Sequence, residues 1–158
     1  MRGLLVAALI LPWPAVAQSL IFDIAPVEAC LATGGGDMCP GLAAEACINA
    51  TSDGYTTVGM GACTDYERAV WDRWLNEEYQ ALMIKLKAQD AEAMSYAPKQ
   101  ADALREMQRA WIGFRDAKCA YVASQWGGGT GAGPASVSCH LHETASQLFY
   151  LQSSQFGE

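Results

Sequence analysis

The sequence is poor in charge, and poorest in positive charge. Ten Lys and Arg stand against seventeen Asp and Glu, a formal net charge of −7 over 158 residues. So few cations exclude a phosphate-tracking, nucleic-acid-binding role. No C-x-x-C pair occurs, which removes a dithiol redox centre. No G-x-S-x-G occurs, which removes the hydrolase nucleophile elbow. The run GGGTGAG over 127–133 lacks both the Lys-Ser/Thr ending and the preceding strand of a phosphate loop. Period-two alternation is missing, so no strand is predicted, and there is no internal repeat. No apolar run is long enough to span a bilayer as a helix. The only two His, His140 and His142, follow Cys139 but fall on different helix faces, whereas a zinc site needs three or four converging ligands. No metal and no cofactor are therefore expected. Adjacent carboxylates such as Glu77–Glu78 belong to a helix surface, and Trp71, Trp74 and Trp111 sit at core spacing rather than in a sugar-stacking platform.

What is present begins with an export signature. Arg2, the apolar run Leu4 to Leu11 and the small-residue site Ala15-Val16-Ala17 predict a signal peptide over 1–17, cleaved after Ala17. Loss of Arg2 takes the charge from −7 to about −8. No Cys stands at the cleavage point, so no membrane anchor is expected. The six cysteines, Cys30, Cys39, Cys47, Cys63, Cys119 and Cys139, all follow that signal, which predicts disulfides formed in a periplasmic or extracellular compartment. Six Cys allow 15 connectivities, and spacing alone does not choose among them.

The remainder reads as one all-α domain. Residues 18–46 form a Cys- and Gly-rich extension, with short helical turns expected at Val27–Thr33 and Gly41–Ile48. A first long helix is expected from Thr64, where Thr64 and Glu67 make a T-x-x-E capping box. Its apolar positions run Val70, Trp71, Trp74, Leu75, Tyr79, Leu82, Met83 and Leu86. Pro98 suits the first turn of a second helix, which carries Leu104, Met107, Trp111, Phe114, Val122 and Trp126. A shorter third helix is expected from Ser136 to Gln152. The first two should fold back as an antiparallel hairpin. A turn centred near Ala93–Met94 sets Asp72 level with Arg115, Asn76 with Trp111, and Tyr79 with Gln108. That register predicts a polar seam between the helices, closed by an Asp72–Arg115 pair.

The pattern Cys63, Asp72-x-x-Leu75-Asn76-x-x-Tyr79, Gln108-Arg109-Ala110-Trp111-Ile112-x-Phe114-Arg115-Asp116-x-x-Cys119, a Gly-rich loop and Cys139 resembles the LprI N-terminal domain family. The likeness covers about Cys47 to Leu151, and the helical domain is taken as 47–152, leaving 153–158 as a tail. It implies a secreted, disulfide-stapled helical domain associated with inhibition of lysozyme, not an enzyme. Cys47, Cys63, Cys119 and Cys139 match the family's four cysteines, and Cys30 and Cys39 are additional. Gln147 stands where an Arg is frequent, and the namesake's lipoprotein signal is absent.

The favoured bridges are Cys30–Cys39, Cys47–Cys63 and Cys119–Cys139, with Cys30–Cys47 an open alternative. The expected function is a binding module that inhibits a basic, lysozyme-type muramidase. The stapled loops at 33–39, 52–61 and 127–133 are its candidate insertion elements. The alternative is a structural protein with another envelope partner and no effect on lysozyme.

Overall fold

The computed structural model describes residues 19–153; the expected signal peptide and most of the C-terminal tail lie outside them. Five α-helices and one 3-10 turn account for the regular structure, and the described residues contain no strand.

Helix α1, Ala25–Ala32, opens with Pro26 in its first turn, where a missing N–H costs nothing. Asp23 Oδ1 accepts from Ala25 N at 2.9 Å just ahead of it. A 3-10 turn, Gly36–Met38, leads to α2, Leu42–Ala50. Helix α3, Thr57–Glu92, has 36 residues and so reaches about 54 Å. Helix α4 is Gln100–Ser124 and α5 is Ala132–Ser153.

The capping box expected at Thr64 is not the start of α3. The cap is Thr56, whose hydroxyl accepts from Gly59 N at 3.0 Å. Thr64 lies two turns inside, donating to Met60 O at 2.8 Å. Gly59 and Gly61 read as loop residues in sequence, yet both are helical. Gly59 is needed because a Cβ there would collide with the Asp53 carbonyl oxygen in the preceding turn.

The turn between α3 and α4 is fixed by Asp90 rather than by a local cap. Lys99 precedes α4 without a side-chain cap. Asp90, in the last turn of α3, accepts from Gln100 N at 2.8 Å and Ala101 N at 2.9 Å. Lys99 Nζ in return donates to Asp90 O at 2.7 Å. One carboxylate thus satisfies two of the four orphan donors at the start of α4 and holds two helices together.

Helix α5 is the centre of the bundle. Its Leu141, Ala145, Leu148 and Leu151 meet Trp71, Leu75, Leu82 and Met83 of α3 in one apolar core. Ala101 and Leu104 of α4, Val27 of α1 and Ala43 of α2 close it. The chief interface is α3 with α5, and α4 rests more on α5 than on α3. Helix α5 runs alongside α3 in the same direction: Gly61 lies by Pro134, and Trp71 by Phe149. Helix α4 runs the other way, Cys119 meeting Cys139 while Gln108 meets Gln147.

Three disulfides staple this frame: Cys30–Cys39, Cys47–Cys63 and Cys119–Cys139. The first closes the 3-10 turn, the second ties α2 to α3, and the third ties α4 to α5.

Candidate functional site

The distinctive segment Gln108 to Cys119 lies along α4, and its polar residues point to α5 and to each other, not to α3. Gln108 Oε1 accepts from Gln147 Nε2 at 2.9 Å. Gln147 is buried in α5 and also lies 3.4 Å from Met107 Sδ. Arg115 places its guanidinium over the Trp111 ring, 4.9 Å from the centroid, and pairs with the adjacent Asp116 at 2.9 Å. Asp116 is also 3.5 Å from His140 Nε2 of α5. One turn on, Lys118 Nζ meets Glu143 at 2.6 Å, and Cys119 bonds to Cys139.

The Asp72–Arg115 seam is therefore corrected. Asn76 Nδ2 donates to the Asp72 carbonyl at 2.8 Å and to its carboxylate at 3.2 Å, within α3. Arg115 is satisfied within α4. The cause is α5, which packs against the apolar side of α3 and takes the face of α4 that the hairpin register assigned to α3. Tyr79 and Trp111 pack against the common core instead of forming polar pairs.

Glu67, expected as the capping-box partner of Thr64, is instead a fully buried carboxyl group. Its Oε1 accepts from Gly41 N at 2.6 Å and from Trp71 Nε1 at 2.9 Å, and its Oε2 accepts from Ala44 N at 2.7 Å. Glu67 thus sits on the N-terminus of α2, where orphan N–H donors and the helix dipole favour an anion. It bolts α2 to α3 close to the Cys47–Cys63 bridge. A signal existed: Glu67, Trp71, Leu75 and Asp90 all fall on the apolar stripe of α3. A carboxylate on a buried face needs a partner.

His140 and His142 each turn Nδ1 to the carbonyl four residues back, Ser136 at 2.8 Å and Ser138 at 2.8 Å. Among the described residues no group of three or more His, Cys, Asp or Glu could hold a metal.

Two connecting turns meet at one end of the bundle. The α2–α3 turn, 51–56, is drawn tight: a Cβ on Gly54 would strike the Ile48 carbonyl, and Thr51 Oγ1 accepts from Ile21 N at 3.1 Å. The Tyr55 hydroxyl bonds to Asn49, leaving its ring 72% exposed. The α4–α5 turn, 125–131, reverses through Gly127 and Gly128 at φ of 57° and 82°. Its Gly131 lies directly under the Trp126 ring, where a side chain would collide. The Gly61–Pro134 contact brings the two helices that carry these turns together. Residues 57–61 and 132–133, expected as loop, are helical.

On the side of the bundle, α1, α3 and α5 enclose a groove of about 730 Å³. Trp71 backs it, with Trp74 edge-on at 5.1 Å and Phe149 edge-on at 5.6 Å. Its rim carries Glu28, Glu77 and Glu78.

Comparison with known proteins bears on what such a scaffold is for. The family described as Lysozyme inhibitor LprI matches residues 47–151. An uncharacterized 17.7 kDa protein in the puhA 5'region of Rhodobacter capsulatus is 26% identical over 124 residues, 76% of each chain. An uncharacterized protein of Rhizobium meliloti (strain 1021) is 31% identical over 74 residues, 45% of this chain and 53% of its own. No solved structure matches the chain.

Proposed function

We propose a function that starts from family membership: the chain belongs to the lysozyme inhibitor LprI family. The protein is a binding module that inhibits a lysozyme-type muramidase outside the cytoplasm. The observation that carries this is the family match across 47–151, which spans α3, α4 and α5. The three disulfides support residence in an oxidising compartment. No helix of the described residues is long and apolar enough to cross a membrane. Residues 1–17 serve as the export signal.

Inhibition of this kind needs surface that is already in its bound shape, because ordering a loop on binding costs affinity. The turns 51–56 and 125–131 suit that need. The Cys47–Cys63 bridge and the Glu67 bonds brace the helix before the first, and Cys119–Cys139 braces the helices around the second. Tyr55 and Trp126 offer aromatic rings beside them, the residue type enriched in interface anchors. The net charge, −7 for the full chain and about −8 without the export signal, favours encounter with a basic enzyme and makes the association rate fall with added salt.

The test is a titration of muramidases of several types with the purified, oxidised protein, followed by lysis of cell-wall suspensions. Stoichiometric loss of lysis for at least one basic muramidase is the expected result. Unimpaired lysis at excess protein, with partners other than muramidases captured from envelope extracts, would favour a structural role instead.

A further inference from the structure

We propose that the groove between α1, α3 and α5 is a second binding site, one that takes an arginine side chain from a basic protein partner. It lies along the side of the bundle, away from the turns at its end, so it goes beyond the function proposed above. Its chemistry does not require the partner to be a muramidase.

Three observations carry the assignment. The first is a cavity of about 730 Å³ lined by three helices, against about 290 and 380 Å³ for the grooves between α2, α3 and α5 and between α4 and α5. That volume admits a long side chain and part of its flanking segment. The second is its wall. Trp74 is half-buried, held edge-on by Trp71, whose own indole N–H is committed to Glu67. Trp74 and Phe149 thus form a fixed aromatic lining without a free polar group from Trp71. The third is the rim, where Glu28 arrives from α1 while Glu77 and Glu78 arrive from α3. Glu77 lies 3.9 Å from Arg73 on the same helix, an exposed pair that water screens.

An aromatic wall under a carboxylate rim is complementary to a guanidinium. The flat cation stacks on a ring through the π-face quadrupole while its N–H groups reach the carboxylates. Lysine offers only a point charge and should bind more weakly. A sugar could also stack on the rings and donate its hydroxyls to the carboxylates, but it lacks the positive charge that acidic residues from two helices attract, so chitotriose is the competing ligand in the test.

The experiment follows the indole ¹⁵N–¹H signals of the oxidised full-length protein as tri-arginine, tri-glutamine or chitotriose is added. Trp74 reports the groove and Trp126 serves as a distant reference. A saturable shift of Trp74 with tri-arginine alone supports the site. Glu28→Gln with Glu77→Gln should weaken it about fivefold, as expected for two solvent-screened pairs. Both carboxylates are exposed, so this variant keeps the fold, and Trp74→Leu should abolish the peptide's effect on the remaining signals near the groove. No Trp74 shift at millimolar peptide, an unchanged affinity in the double variant, or an equal shift with chitotriose would each overturn the proposal. Lysis inhibition measured on the same proteins separates the two claims. A protein that inhibits lysis but ignores tri-arginine refutes the groove alone. One that binds tri-arginine through Trp74 but never inhibits lysis refutes the muramidase function alone.

Discussion

Replacing Glu67 should be the most damaging single polar substitution in the domain. Its side chain is fully buried and accepts three hydrogen bonds, from Gly41 N, Ala44 N and Trp71 Nε1. Glu67→Ala strands all three donors away from water, and each stranded donor costs about 1–3 kcal/mol. The three share one acceptor group, so the costs do not simply add. Three donors at about 1–3 kcal/mol each, adding incompletely, give a total of about 3–5 kcal/mol. Glu67→Gln is milder. Its one oxygen can still serve Gly41 N and Trp71 Nε1, but its NH2 then faces the Ala44 N–H, stranding one donor for about 1–3 kcal/mol. Urea unfolding of the oxidised protein measures both. With a slope near 2 kcal/mol/M, Glu67→Ala moves the midpoint down by about 2 M, and Glu67→Gln by about half that. Glu67→Ala within about 1 kcal/mol of the parent would refute the bolt. Equal losses for Ala and Gln would show that charge, not the number of bonds made, is what matters at this position.

Asp90 predicts an acid-labile component of stability. Its carboxyl is held below the ordinary range of about 3.8, first by the Ala101 N–H it accepts, against a partial offset from burial, and then by Gln100 N–H and the Lys99 charge. A lowered folded-state value means the unfolded chain binds more protons as pH falls below about 4, so the contribution is complete above that range and is lost below it. Asp90→Asn should flatten the fall of stability with acid in urea titrations across that window; an unchanged slope would contradict the cap. Cys119→Ser with Cys139→Ser opens a 20-residue separation and should cost about 3.3 kcal/mol on the loop-entropy scale, read as a lower melting temperature. A double-mutant cycle between Asp72→Ala and Arg115→Ala should give a coupling near zero. The cycle between Arg115→Ala and Trp111→Leu should give about 0.5–1 kcal/mol, the worth of a partly exposed cation–π contact.

The legible parts of this chain were those written in local periodicity. The helical stripes of Trp71, Leu75, Leu82 and of Leu141, Ala145, Leu148 announce α3 and α5, and all-helical architecture follows from them. Helix ends were less legible. The T-x-x-E at Thr64 has the form of a cap, but it sits inside a helix whose true cap, Thr56, is followed by Gly59, which close backbone approach requires. Long-range partners were least legible. A hairpin register assumes that consecutive helices share their main interface, whereas α5 takes the apolar side of α3 and answers Gln108 with Gln147. Glu67 has the local form of a capping-box acid and Asp90 that of an acid on an apolar stripe, and their actual partners, the N-termini of α2 and α4, depend on tertiary placement.

The frame is locked from within and presents two preformed turns at one end. Amide hydrogen exchange of the protein, free and mixed with an inhibited muramidase, tests this most directly. Added protection is expected at 51–56 and 125–131 on complex formation, with the buried stretches of α3 and α5 unchanged because they are already ordered. Turns that exchange as fast in the mixture as in the free protein would contradict it.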